Sequence, residues 1–206
     1  MRLGLYGGTF SPPHKGHVRA AEEFLRVFEL DRLIIMPASI PPHKKIDSGD
    51  DPHHRYNMTC LAFEPLTRCG KCEVSTLELD RTGVSYTYET LTELYRIYGL
   101  RDDHSVYMLC GTDMFLTLDR WREPETIFRL AHIVAVSRMH GDSDDIDAAQ
   151  ARYERDFGAK ISRLMTEPLE VSSTEIRKMI SDGRIADVID GSVADYIRKA
   201  GLYADA

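Results

Sequence analysis

Apolar residues recur along this chain in two alternating rhythms: short unbroken runs, and longer stretches spaced to line one face of a helix. Leu3–Tyr6 is a short apolar strand ended by Gly7 and Gly8. The spacing Val18, Ala21, Leu25, Phe28 predicts a helix running to about Glu29, and Arg32–Pro37 a fully buried strand with a proline stop. Tyr56–Leu66 reads as a helix, with Met58, Leu61, Ala62 and Pro65 marking its face and end, and Glu73–Leu79 alternates like a strand. Tyr86–Tyr98 is the next helix, with Leu91, Leu94 and Tyr95 inward. Val106–Cys110 and His132–Ser137 are buried strands separated by short helices over Thr112–Leu118 and Pro124–Leu130. A late strand over Lys160–Met165 precedes two closing helices, about Ser173–Ser181 and Ser192–Lys199. The polar, proline-bearing stretch Ser39–His54 reads as a loop, and the acidic run Asp142–Asp147 as a surface loop or a solvated helix start.

Strands alternating with crossover helices imply an α/β fold, a doubly wound and mostly parallel sheet with helices on both faces. The closing helices form a small C-terminal helical part, about residues 172–206, of a single domain spanning 1–206. In such sheets ligands bind beyond the carboxyl ends of the strands, which is where the motifs of this chain fall.

Composition narrows the function without naming it. With 43% hydrophobic and 29% charged residues in 206, the chain has the make-up of an ordinary folded domain. No apolar run approaches the ~18 residues of a membrane span. The opening run Met1–Tyr6 is too short for a signal peptide and lacks a small-residue cleavage site, so a cytoplasmic location is expected. A net charge of −7 argues against a general nucleic-acid or anionic-membrane surface, and leaves small anionic substrates open. Cys60, Cys69, Cys72 and Cys110 give one C-x-x-C pair with no second pair to complete a zinc site, and read as reduced thiols.

Three motifs carry candidate chemistry. In Gly7-Gly8-Thr9-Phe10-Ser11-Pro12-Pro13-His14-Lys15-Gly16-His17, the glycines allow close backbone approach and a helix start beyond offers unpaired N–H groups. His14 and His17 are three apart, so a helical first turn projects them from one face, placed to donate hydrogen bonds to phosphate oxygens. Pro41-Pro42-His43-Lys44-Lys45 is either a solvated, proline-stiffened loop or a cationic cover over an anion. In Val171–Arg177, Ser172 or Ser173 caps a helix, and Arg177 lies one turn on, within reach of a bound phosphate. Between these, Asp113 of Gly111-Thr112-Asp113 stands at a strand's carboxyl end, where an acid commonly holds ribose hydroxyls. Trp121, the only tryptophan, is either core or a stacking platform.

In order and over nearly its whole length, the chain resembles the HxGH nucleotidylyltransferases, and within them the bacterial branch that adenylylates nicotinate mononucleotide. The resemblance rests on the Gly7–His17 string, Pro41–Lys44, the segment Leu79–Thr87, Gly111–Asp113 with Trp121, His132–Arg138 and Ser172–Arg177. Three residues depart from the pattern. Ser11 stands where many relatives carry aspartate, Met114 where serine or asparagine is frequent, and Arg122 where some have a second aromatic.

The resemblance implies a Rossmann-like fold and transfer of AMP from ATP to nicotinate mononucleotide, giving deamido-NAD and pyrophosphate. It implies catalytic roles for His14, His17, Lys44 and Arg177. ATP would meet Gly8, Thr9, Phe10, His14, His17, Gly111, Asp113, Ser172, Ser173, Thr174 and Arg177. Nicotinate mononucleotide would meet Gly7, Ser39, His43, Lys44, Thr87 and Trp121. Mg²⁺ is expected to arrive on ATP, with no metal site of the protein's own. The expected partners are these two small molecules, with no nucleic acid or membrane, and a homodimer as a possible assembly. The competing readings are a related enzyme acting on nicotinamide mononucleotide or another acceptor, and a non-catalytic nucleotide sensor on the same fold.

Overall fold

The computed structural model describes residues 1–39, 51–137, 143–165, 173–182, 184 and 188–204. In chain order it contains β1 (Leu3–Gly8), α1 (Lys15–Val27), β2 (Arg32–Pro37), α2 (Pro52–Arg68), β3 (Cys72–Val74), α3 (Thr87–Tyr98), β4 (Val106–Cys110) and α4 (Thr112–Phe115). There follow a 3₁₀ turn (Leu118–Arg120), α5 (Pro124–Leu130), β5 (Ala131–Ser137), α6 (Ser143–Phe157), β6 (Lys160–Met165), α7 (Ser173–Ser181) and α8 (Gly191–Ala200). Six strands pair in the order β3-β2-β1-β4-β5-β6, every pairing parallel. This is the doubly wound α/β sheet expected from the alternation of strand and helix patterns.

Strands covered on both faces have no solvated side, so they read as unbroken apolar runs. In β2, Ile34 and Met36 enter one core while Leu33 and Ile35 enter the other. The first core is completed by α3, α5 and α6 through Leu91, Ile127 and Tyr153. The second is completed by α1, α2, α7 and α8 through Phe24, Phe63, Ile176 and Ile197. Gly4 of β1 faces this second core. A Cβ there would lie 2.6 Å from Leu30 Cδ1 and 2.9 Å from Leu33 Cδ1, so only glycine lets the strand and its neighbours close.

Several element boundaries differ from the pattern reading, each for a local reason. The expected Glu73–Leu79 strand stops at Val74. The Leu77 N–H donates to Ser75 Oγ, the Asp80 N–H to the Thr76 carbonyl, and Thr76 Oγ1 to the Asp80 carboxylate, which turns the chain out of the ladder. Helix α2 begins at Pro52, inside the expected loop, because Asp51 caps it by accepting from the His53 N–H and a proline suits the first helical position. Pro65 does not end that helix. It sits exposed within it, and α2 continues to Arg68. Helix α1 starts at Lys15 rather than Val18, with His14 as its N-cap. The acidic run opens α6, a helix the pattern reading did not extend, and its remaining residue Asp142 lies outside the described residues.

Neighbours of β1 run in opposite directions of chain order, β2 on one side and β4 on the other. A crevice opens at such a reversal, beyond the carboxyl ends of the strands. The pairings Gly8↔Pro37 and Tyr6↔Leu109 bring the segments following β1, β2 and β4 to one edge of the sheet.

Candidate active site

The loop after β1 is built around Phe10. This residue adopts φ 50° and buries its ring, which lies edge-on to Tyr6 at 5.5 Å, His17 at 5.2 Å and Phe63 at 5.9 Å between centroids. A Cβ on Gly8 would come within 2.9 Å of the Phe10 ring, so the second glycine of the string is a packing requirement. With its ring buried, Phe10 offers a ligand its backbone rather than its side chain.

His14 and His17 meet in the first turn of α1, their rings tilted by 31° with centroids 3.6 Å apart. The His14 backbone N–H donates to His17 Nδ1 at 3.1 Å, which makes Nδ1 an acceptor and puts the proton of the neutral ring on Nε2. Burial pushes the His14 pKa down to about 4, so near neutral pH His14 is an uncharged imidazole. It can donate to a phosphate oxygen but brings no net charge of its own. Its Nδ1 is buried without a hydrogen-bond partner among the described residues.

Helix α7 closes on the same loop. Arg177 Nη1 donates to the Ser11 carbonyl at 2.8 Å and Nη2 to Thr174 Oγ1 at 3.3 Å, while Ser173 Oγ donates to the Pro12 carbonyl at 3.3 Å. The first and last motifs therefore form one cluster, although 160 or so residues separate them in sequence. Ser11 also meets Tyr203, with the hydroxyl oxygens 3.4 Å apart.

Beyond β4, Gly111 caps the short helix α4, and Thr112 Oγ1 donates to the Val136 carbonyl, tying α4 to β5. Asp113 is exposed in its first turn. Trp121 is half-buried against the first core, and its Nε1 donates to Thr117 Oγ1. The neighbouring Arg122 guanidinium lies 4.8 Å over the ring of Tyr86, the N-cap of α3, whose first residue is Thr87. The segments around Trp121 and Thr87 thus meet across this contact.

Two residues outside the sequence motifs hold the site together. Arg55 of α2 is fully buried and donates to the carbonyls of Thr9 at 2.9 Å, Ala38 at 2.6 Å and Ser39 at 2.8 Å. It fastens the segment after β1 to the segment after β2, and it fixes Ser39 with that residue nearly buried. Its signal was present in the sequence: Arg55, Met58, Thr59, Ala62 and Phe63 are the buried stripe of α2, with a cation at an apolar position. Glu78 is buried beneath the Leu79–Tyr86 segment. Thr90 Oγ1 donates to its carboxylate at 2.8 Å, Arg81 Nη1 donates to Thr90 Oγ1 at 2.9 Å, and burial raises the Glu78 pKa.

His43, Lys44 and Ser172 lie outside the described residues. The cysteines are free thiols, and burial pushes Cys72 and Cys110 up to about 12, far from nucleophilic use near neutral pH. Among the described residues no group of three His, Cys, Asp or Glu side chains is arranged to hold a metal ion.

A helix start beyond a glycine-bearing loop, a histidine pair and a converging arginine at the reversal point of a parallel sheet are features shared with nucleotide-binding α/β enzymes. The cytidylyltransferase-like family matches residues 5–179. A protein of Thermoanaerobacter sp. (strain X514), described as a probable nicotinate-nucleotide adenylyltransferase, is 36% identical over 98% of this chain and 94% of its own length. One of Desulfitobacterium hafniense (strain Y51) with the same description is 36% identical over 98% and 95%. Among solved structures, the Plasmodium falciparum nicotinic acid mononucleotide adenylyltransferase complexed with NaAD shares the fold. Its TM-score is 0.78 at 19% identity, over 98% of this chain and 97% of that one. The chain belongs to the cytidylyltransferase-like family.

Proposed function

We propose that this protein is a nicotinate-nucleotide adenylyltransferase, which transfers AMP from ATP to nicotinate mononucleotide and releases pyrophosphate. The observation that carries this reading is the end-to-end match to proteins described by that activity. No helix among the described residues is long and apolar enough to cross a membrane.

A phosphate oxygen of the mononucleotide attacks the α-phosphorus of ATP. That P–O bond forms as the bond to the β-phosphate oxygen breaks, and pyrophosphate carries the electron pair away. The attacking phosphate is already anionic near neutral pH, so no general base is required. Catalysis reduces to holding two polyanions in line and stabilising charge on the transferring group. His17, donating from Nε2, and neutral His14 serve as fixed donors at the positive end of α1, while Arg177 and Lys44 bring cationic charge. Gly8, Thr9, Phe10, Gly111, Asp113, Ser172, Ser173 and Thr174 contact ATP. Gly7, Ser39, His43, Lys44, Thr87 and Trp121 contact the mononucleotide.

Magnesium enters as part of the substrate MgATP. The chain's own residues act on the phosphates, and the ion would bring charge neutralisation with the substrate. The experiment is pyrophosphate release by purified protein from MgATP with a panel of acceptors. Release with nicotinate mononucleotide, with deamido-NAD as co-product, is the expected result. ATP binding without release for any acceptor would favour a sensor.

A further inference from the structure

We propose that Arg122 contributes to the choice between the acid and amide mononucleotides, its guanidinium supplying a cation that pairs with the pyridine carboxylate. The inference rests on the proposed acceptor site at Thr87 and Trp121. Arg122 follows Trp121 directly, and its guanidinium lies 4.8 Å from the centre of the Tyr86 ring, one residue before Thr87. It therefore bridges the two segments assigned to the pyridine ring. Nicotinate and nicotinamide mononucleotides differ there by one substituent, a carboxylate against a neutral carboxamide. A nearby fixed cation is the simplest chemistry that separates the two.

Among the described residues no carboxylate forms an ion pair with Arg122. Arg32, Arg96 and Arg152 are paired with Glu73, Glu93 and Asp119. The largest interaction of Arg122 is a side-chain hydrogen bond with Tyr86, over whose ring it lies, with Tyr88 and then Glu89 as weaker electrostatic neighbours. Stacking on Tyr86 also restricts the side chain before a ligand arrives, so less conformational freedom remains to be lost on pairing. The first N–H groups of α3, eleven residues further along from the start of the Thr76 turn, carry partial positive charge of the same sense.

The test compares kcat/KM for nicotinate and nicotinamide mononucleotides at saturating MgATP in the parent, Arg122→Gln and Arg122→Lys. In Arg122→Gln the acid value should fall about fivefold, the scale of an exposed ion pair, while the amide value stays nearly unchanged. Arg122→Lys should keep most of the preference, and added salt should narrow the parental ratio. Because both substrates meet the same enzyme sample, the ratio is insensitive to the fraction that is folded. Equal losses for both substrates, no loss for either, or a Lys variant as impaired as the Gln variant would overturn the role of charge. A parent that adenylylates neither mononucleotide would remove the proposed reaction, and this inference with it.

Discussion

At the scale of single residues, the site is a small set of donors held by packing. His17 has its tautomer fixed by the His14 backbone N–H and its ring supported by Phe10. Replacing His17 with Ala should lower the rate of adenylyl transfer by about 100-fold or more, as for loss of one preorganised donor. A retained melting transition with near-parental turnover would rule out the phosphate role. Gly8→Ala tests the support beneath it. The added methyl would press on the Phe10 ring, so turnover should fall severalfold with substrate KM values less affected, measured by steady-state kinetics. The Gly7–His17 string was legible in the sequence because its residue types and spacing are unusual together. The neutrality of His14 was not, since burial depends on neighbours from distant parts of the chain.

At the scale of elements, helices α2 and α7 bind loops that the strands deliver. Arg55 supplies three hydrogen bonds to carbonyls that have been removed from water. Arg55→Met fills similar volume but leaves those acceptors without their donor, so the variant should lose about 3 kcal/mol in chemical denaturation. A loss below about 1 kcal/mol would show that other groups satisfy the loop. Elements with a clear pattern were legible: all six strands fall where apolar runs or alternation placed them, though β3 is shorter. The shortening came from Ser75 and Thr76, whose side chains compete with the ladder for backbone partners. Helix α6 escaped because its buried stripe, Ile146, Ala149 and Tyr153, is thin and set among charges. Its Tyr153 hydroxyl nonetheless reaches the Phe115 carbonyl at 2.8 Å, anchoring the segment after β4.

At the scale of the molecule, the strand order places every described candidate residue at or beyond a strand's carboxyl end. The meeting of α7 with the β1 loop was implied by the family resemblance, which assigns both to ATP, but the Ser11 and Pro12 carbonyls as its contacts were not. They are backbone atoms and leave no mark in a sequence. Burial of His14 also links the site to overall stability. Its folded pKa of about 4 lies below the usual 6.5, so between these values the unfolded chain holds a proton that the folded chain does not. Stability from this group is therefore full above pH 6.5 and is lost as pH falls toward 4. Glu78 acts in the opposite sense, because its raised pKa favours the folded state as pH falls. Denaturation of the parent and His14→Asn across this range isolates the histidine. The parent's advantage over the variant should grow with rising pH, and a constant difference would contradict the burial argument.

The central claim is adenylyl transfer to an acid mononucleotide at the crevice between β1 and β4. Its most direct measurement is kcat/KM of the parental protein for nicotinate and nicotinamide mononucleotides at saturating MgATP, with the dinucleotide product identified. A site that matches one polar substituent and leaves its donors unpaired with the other can discriminate by several powers of ten. The account predicts deamido-NAD as the favoured product and a kcat/KM clearly higher for the acid. Equal values, or a preference for the amide, would contradict it.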